Sequence, residues 1–316
     1  MDQCDFGVIG LGRIGGGLAL QAMEKGYRVA GLDLSAPCDE LRDAGLITCE
    51  DRAALVGALK SPRVIFIYIH AGAAIDAELD SLLPLLSPGD IVVDGGNSYW
   101  GEARRRADRA KESGVHFVDL GTSGGVSGAR TGACFMAGGD AAAVAQIEPL
   151  LVELAVPGGF VYAGASGAGH FVKLVHNGVE FGMMQAIGEG VDLMERFDGD
   201  LDIAAVLECW RHGSIVRSYL VDLMAEAYGH RAGIEGVPTH VEDTGEVNWL
   251  VADALRMEVP IPVITQSVIQ LFASRDDRLN WARAVALMRL GFGGHALGPV
   301  PSIAEERKTS RTDWAP

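Results

Sequence analysis

The sequence predicts an α/β Rossmann dinucleotide-binding domain followed by an all-α domain. Three observations predict it. Up to about residue 160, short and nearly continuous apolar runs alternate with helical stretches, the pattern of βαβ units around a mostly parallel sheet covered on both faces. Beyond Gly164-Ala165-Ser166-Gly167 the strand signal almost vanishes and long amphipathic segments take over. A glycine-rich turn directly follows the first apolar run and opens the first helix.

Phe6–Ile9 reads as a buried strand, followed by the glycine turn and a helix through about Lys25. A second strand runs from Tyr27 to Leu32 and ends at Asp33. Further strands are expected over Val64–Ile69, Ile91–Val93, Phe117–Asp119 and Cys134–Ala137, separated by helices near 53–59, 76–86, 102–113 and 141–154. The second half reads as helices over about 168–197, 201–228, 244–257, 262–274 and 280–292. The boundary falls near residue 163. The expected parts are a nucleotide-binding domain over 1–163, a helical domain over 164–298 and a polar tail over 299–316.

Composition narrows the function. The chain has 316 residues, 48% hydrophobic and 22% charged, as expected of a soluble globular protein with two domains or one large one. Its net charge of −16 argues against nucleic acid, and an anionic substrate must be drawn by local cations against the global field. The five cysteines, Cys4, Cys38, Cys49, Cys134 and Cys209, form no C-x-x-C pair, so reduced thiols in a cytoplasmic protein are expected and no metal site is. The sequence starts at once with a strand and shows no signal peptide; its longest apolar run, Val64–Ile75, is too short to span a membrane.

Gly10-Leu11-Gly12-Arg13-Ile14-Gly15 is a G-x-G-x-x-G fingerprint after a strand and before a helix. Its glycines let the backbone approach a pyrophosphate at the helix N-terminus. Asp33, about 20 residues on, is placed to bind a ribose 2′-hydroxyl and to repel a 2′-phosphate, so the expected cofactor is NAD. Arg13 is the one nearby cation that could face a phosphate instead. Two further loops, Asp94-Gly95-Gly96-Asn97-Ser98 and Gly121-Thr122-Ser123-Gly124-Gly125, follow strands and so belong at the carboxyl edge of the sheet, where ligands bind in open α/β folds.

The helical half opens with Gly169 to Glu180. Lys173, His176, Asn177 and Glu180 stand at i, i+3, i+4 and i+7, which puts an amine, an imidazole, an amide and a carboxylate on one helix face. This reads as a reaction site; the alternative is a solvated face with an i, i+7 ion pair.

Together, the fingerprint, Asp94 to Ser98, Ser123-Gly124-Gly125, Gly169 to Glu180 and Phe292-Gly293-Gly294-His295 resemble the 6-phosphogluconate dehydrogenases, in their short, often NAD-using branch of the β-hydroxyacid dehydrogenase superfamily. The resemblance runs from Gly10 to His295. It implies oxidative decarboxylation of a 3-hydroxy sugar acid, with Lys173 as general base on the C3 hydroxyl and Glu180 as the acid that protonates the resulting enediol. It implies His176 and Asn177 on substrate hydroxyls, Ser123, Gly124 and Gly125 at the substrate carboxylate, and Asn97 between cofactor and substrate. His70 is expected at the cofactor's edge, a surface histidine being the alternative. Arg275, Arg289 and His295 are expected at the substrate's far end, the last two reaching a neighbouring subunit in a homodimer built by the helical domain. Three positions depart from the family's phosphate site: Phe181 replaces a tyrosine, and Asn248 and Leu250 flank Trp249 where the family has a cation and a hydroxyl. Two substrates stay open, 6-phosphogluconate and a 3-hydroxy acid with a different tail. A non-catalytic NAD-binding scaffold is disfavoured, because Lys173 and Glu180 are both retained.

Overall fold

The computed structural model describes residues 3–231 and 233–302. Its first half is one eight-stranded sheet: β1 (Phe6–Ile9), β2 (Val29–Leu32), β3 (Ile47–Thr48), β4 (Val64–Ile67), β5 (Ile91–Asp94), β6 (His116–Ser123), β7 (Ala133–Gly138) and β8 (Ala155–Gly164). The spatial order is β3-β2-β1-β4-β5-β6-β7-β8, and every pair is parallel except β6 with β7. Strand order reverses between β1 and β4, so a crevice opens beyond their carboxyl ends.

Alternate residues of each strand serve opposite faces. Phe6, Val8, Val93 and Leu120 join one core cluster, covered by α1 (Arg13–Glu24), α6 (Gly125–Thr131) and α7 (Ala141–Leu154). Ile9, Ile65, Val92 and Phe117 join the other, under α3 (Arg52–Ala58), α4 (Ala73–Leu82) and α5 (Trp100–Glu112). A sheet buried on both faces needs apolar residues at successive positions, which is why the strands read as continuous apolar runs. A short α2 (Asp39–Asp43) precedes β3.

Helices alone follow: α8 (Ala168–Glu195), α9 (Ile203–Trp210), α10 (Tyr219–Arg231), α11 (Glu246–Arg256), α12 (Pro262–Arg275) and α13 (Asn280–Gly293). Val191, Leu207, Ala225 and Tyr228 pack α8 against α9 and α10. Leu174, Leu250 and Val268 pack it against α11 and α12. No residue of α13 is buried.

The structure corrects several sequence expectations. The helix expected over 201–228 is two helices broken at 211–218, where Gly213 takes a positive φ of 63°. β3, β8, α2 and α6 were not expected. β3 has two residues and α2 five, too short for a periodic signal, and β8 carries Pro157 and Gly158-Gly159, which mimic a loop. Residues 303–316 of the expected tail lie outside the described residues. Among the described residues no helix is long and apolar enough to cross a membrane, and no metal-binding cluster of His, Cys, Asp and Glu occurs.

Candidate active site

A cleft of about 2150 Å³ runs from the carboxyl ends of β1 and β4 to the face of α8. That is larger than a single small-ligand pocket of roughly 300–1000 Å³ and leaves room for a dinucleotide beside a second molecule.

Its sheet end is built by the fingerprint. Gly12 is the N-cap of α1 and makes no side-chain cap, so the first-turn N–H groups stay available. A Cβ at Gly12 would meet nothing within 4 Å and would stand in the cleft itself. At Gly10 and Gly15 a Cβ would instead strike the Tyr68 and Gly10 carbonyl oxygens, so these two glycines are demanded by close packing. Asp33 stands at the end of β2; its carboxylate accepts from Leu11 N at 2.6 Å and Ser35 N at 3.0 Å, which ties the glycine loop to the next one. Leu11 thus acts through its backbone and does not line the cleft. Gly10, Gly12, Arg13, Ile14, Gly15, Asp33 and the exposed His70 all line it. Arg13 makes no ion pair among the described residues. An open helix N-terminus, a glycine that leaves space and a carboxylate at the strand end together fit a dinucleotide.

The middle of the cleft is set by Asn97 and by Ser123 to Gly125. Asn97 adopts φ 59°, a left-handed conformation that asparagine tolerates, and its Nδ2 donates to Glu246 Oε1 at 3.1 Å, linking the β5 loop to the start of α11. Thr244 donates its hydroxyl to the other oxygen of Glu246. β6 ends at Ser123, Gly124 turns with φ 111°, and α6 begins at Gly125.

The far wall is α8. Its first N–H groups find no cap in their own sequence. Asp119 of β6 supplies it, accepting from Gly167 N at 2.7 Å and His170 N at 2.9 Å. His170 is buried, and its ring Nε2 donates to the Asp94 carbonyl at 3.0 Å. Gly169 lets the helix press onto the sheet: a Cβ there would collide with the Asp119 and Met136 carbonyl oxygens. These contacts carry Lys173 into the interface, where Gly121 leaves just enough room; a Cβ on Gly121 would approach Lys173 Cβ to 2.6 Å.

Lys173 is only 8% exposed, and burial holds its amine below the usual lysine range, opposed by the charges of Glu180, Cys134 and Glu246. Its Nζ lies 3.4 Å from His176 Nδ1. His176 Nε2 meets Ser123 Oγ at 3.0 Å, and Nδ1 is 3.3 Å from Asn177 Oδ1 and 3.8 Å from Glu180 Oε2. Burial first, and the Lys173 charge second, hold His176 below the ordinary imidazole range, so the ring is neutral near pH 7. A neutral ring has two tautomers. With its proton on Nδ1 it faces a Lys173 lone pair; with its proton on Nε2 it donates to Ser123 and accepts from a Lys173 N–H. One side chain can therefore accompany either protonation state of the amine.

Lys173, His176, Asn177, Glu180, Asn97, Ser123, Gly124 and Gly125 all line this one cleft. Three residues expected at the substrate's far end do not. Arg275 is bound by Asp243 Oδ2 at 2.7 Å and the Val241 carbonyl at 3.1 Å, and the α12 residue that reaches the cleft is Leu271. Arg289 and His295 are exposed on and just after α13, away from the cleft of their own chain. The sequence reading missed Glu246 and Tyr68. Tyr68 donates or accepts at Thr122 Oγ1, 3.1 Å away, and packs against Gly95. Neither residue stands in a motif; Glu246 enters only through the tertiary approach of α11 to the β5 loop.

Known proteins resemble the chain throughout. Residues 5–164 match the profile of the NAD binding domain of 6-phosphogluconate dehydrogenase, and residues 169–291 match the 6-phosphogluconate dehydrogenase C-terminal domain. The NAD(+)-dependent, decarboxylating 6-phosphogluconate dehydrogenase of Haloferax volcanii is 41% identical over 92% of this chain and 97% of its own length. The enzyme of the same name from Bacillus subtilis is 35% identical over 87% of this chain but only 62% of its own length. Among solved structures, the 6-phosphogluconate dehydrogenase of Plasmodium falciparum, described with NADP+ and with 6-phosphogluconate, superposes with a TM-score of 0.78 at 26% identity, over 94% of this chain and 67% of that one.

Proposed function

This chain belongs to the 6-phosphogluconate dehydrogenase family, an oxidoreductase family, and from that premise we propose that it carries out the NAD-dependent oxidative decarboxylation of a 3-hydroxy sugar acid. The observation that carries the reading is a buried lysine with a lowered pKa, two helical turns from a carboxylate, in the cleft that the glycine loop also lines.

Gly10 to Gly15, Asp33 and His70 hold the dinucleotide, with Asp33 disfavouring a 2′-phosphate. A bound NAD would supply the acceptor for the hydride at the substrate's C3. Lys173, uncharged, accepts the C3 hydroxyl proton at Nζ. The product of that oxidation is a β-keto acid, whose carboxylate leaves as CO2 because its electron pair passes onto the C3 oxygen. The protonated Lys173, still beside that oxygen, stabilises the charge and returns a proton to it. Glu180 then protonates the carbon that lost CO2 while Lys173 takes the proton back from the C3 hydroxyl, so that the ketone product forms. Ser123, Gly124 and Gly125 hold the substrate carboxylate; His176 and Asn177 hold its hydroxyls; Asn97 stands between cofactor and substrate.

6-Phosphogluconate, giving ribulose 5-phosphate, is the substrate to which the relatives' names point. The same chemistry on an acid with a different tail is the second reading, favoured by the capture of Arg275 by Asp243. We further propose a cytoplasmic homodimer. The five free thiols suit a reducing compartment, and α13 exposes Trp281, Leu287, Met288 and Phe292, which a second copy would cover while Arg289 and His295 reach its cleft.

The test is Lys173→Ala, read by NADH formation, CO2 release and dinucleotide binding. A fall in kcat of at least about a thousandfold with NAD affinity nearly unchanged is expected. Near-normal turnover would remove Lys173 as the base, and equal use of NADP by the unmodified protein would remove the role given to Asp33.

A further inference from the structure

Among the described residues, the lysines and arginines that line the cleft are Arg13, Arg52 and Lys173. Lys173 belongs to the reacting end. Arg13 is the first residue of α1, on the β1 side, beside the open helix N-terminus that suits a diphosphate. Arg52 has no part in the reaction, and strand pairing fixes where it stands. β2 and β3 run parallel, Gly31 is paired with Thr48, and Cys49 N donates to the Gly31 carbonyl at 2.9 Å. Asp33 and Glu50 each lie two residues past that pair, so they end neighbouring strands side by side, at the spacing of roughly 5 Å that a sheet imposes. α3 begins two residues later, at Arg52. Two residues of chain span at most about 7 Å, and an arginine side chain covers a comparable distance, so a free Arg52 guanidinium would reach the surroundings of the Asp33 carboxylate.

That arginine is not free. Its Nε and Nη2 donate to the two carboxylate oxygens of Glu78 on α4, each at 2.7 Å, a bidentate fork. The carboxylate side is buried and the arginine side is open: the Glu78 side chain is 6% exposed and that of Arg52 38%. A buried carboxylate is costly unless paired, so Glu78 holds the guanidinium by the same edge that a phosphate would take. The helix end offers no substitute, because Asp51 caps α3 and accepts from Ala54 N at 2.7 Å. Asp33, Glu50, Asp51 and Glu78 thus surround one engaged arginine at this corner of the cleft.

NAD and NADP differ at this corner. A carboxylate at the end of β2 suits the ribose 2′-hydroxyl of NAD, and NADP carries a dianionic phosphate on the same oxygen. Resting on the NAD reading above, we propose that Glu78 is a positioning residue for cofactor choice: it withholds Arg52 from the ribose end of the cleft and so excludes the 2′-phosphate of NADP by a second means beside the charge of Asp33. Asp33 repels the phosphate; Glu78 removes the cation that would attract it. Neither residue makes NAD bind more tightly through this effect; discrimination comes from the penalty on the competitor.

The experiment measures Kd for NADH and for NADPH by fluorescence titration, without turnover, in the unmodified protein, Glu78→Gln and the double variant Arg52→Ala/Glu78→Gln. The unmodified protein is expected to bind NADH at least about tenfold more tightly than NADPH. Glu78→Gln, which keeps the buried volume and removes the charge, should tighten NADPH by about threefold or more while NADH stays within about twofold. The double variant should lose that gain, because the released arginine is gone. Glu78→Ala, uncharged and smaller, repeats the test should glutamine not be accommodated, and retained NADH binding reports a folded cleft. A gain that survives removal of Arg52 overturns the proposal, since loss of charge alone would then explain it. So does an unchanged NADPH affinity in both Glu78 variants, or an equal fall for both dinucleotides, which marks a merely structural ion pair. These three results leave the NAD reading standing; equal binding of NADH and NADPH by the unmodified protein overturns that reading and the proposal with it.

Discussion

Lys173 is the residue on which the proposed chemistry turns, and its neighbours would set the pH at which it works. Burial lowers its pKa, while Glu180, Cys134 and Glu246 each favour the protonated amine and so oppose that shift. Removing the charge of Glu246 takes away one opposing influence, and the lysine becomes easier to deprotonate. For Glu246→Gln the acidic limb of kcat/KM, which follows loss of the lysine proton, is therefore expected to move to lower pH. Glutamine keeps the acceptor for Asn97 Nδ2, so the plateau should stay within about threefold of the unmodified protein. A limb that stays in place or moves to higher pH would contradict the electrostatic role of Glu246. The spacing of Lys173, His176, Asn177 and Glu180 was legible in the sequence because a single helix fixes it. Arg275 shows the opposite case. Its charge was legible, but its partner Asp243 lies 32 residues away and is brought to it only by packing, so an arginine read as free is in fact held.

Among the elements, α8 links the two halves, and its seat on the sheet is made of backbone. Gly169 lies against the carbonyl oxygens of Asp119 and Met136, which cannot yield as a flexible side chain would. Gly169→Ala is expected to destabilise the fold by about 1–3 kcal/mol in denaturant unfolding and to depress activity further by shifting Lys173. Gly188→Ala, in the same helix with nothing within 4 Å of its new Cβ, should stabilise by about 0.4–1 kcal/mol. Equal effects from the two would mean that the helix seat is not a close contact. The sequence showed α8 by its periodicity but not its cap. Asp119 serves as cap from 48 residues upstream, which no local capping rule detects. β8 escaped notice for a related reason: its glycines and proline mark a loop locally, and only pairing with β7 makes it a strand.

At the scale of the whole molecule, the exposed apolar face of α13 is the surface on which the proposed dimer would form. The protein is expected to sediment at twice its 33.3 kDa chain mass, and replacing Phe292 and Leu287 with polar residues should shift it toward the single-chain mass with loss of activity. A fully active single chain would contradict the proposed dimer. The packing of Lys173 against Gly121 has a consequence for the protein's life before assembly. The glycine loop and Asp33 belong to the sheet half, whose two faces are covered by its own helices, whereas the lysine loses its water only when α8 seats on β6. A newly made chain whose helices have not yet docked would hold an ordinary, charged lysine and be chemically silent even where it can already bind a nucleotide. On the proposed role of Lys173, reactivity would double as a certificate of completed folding.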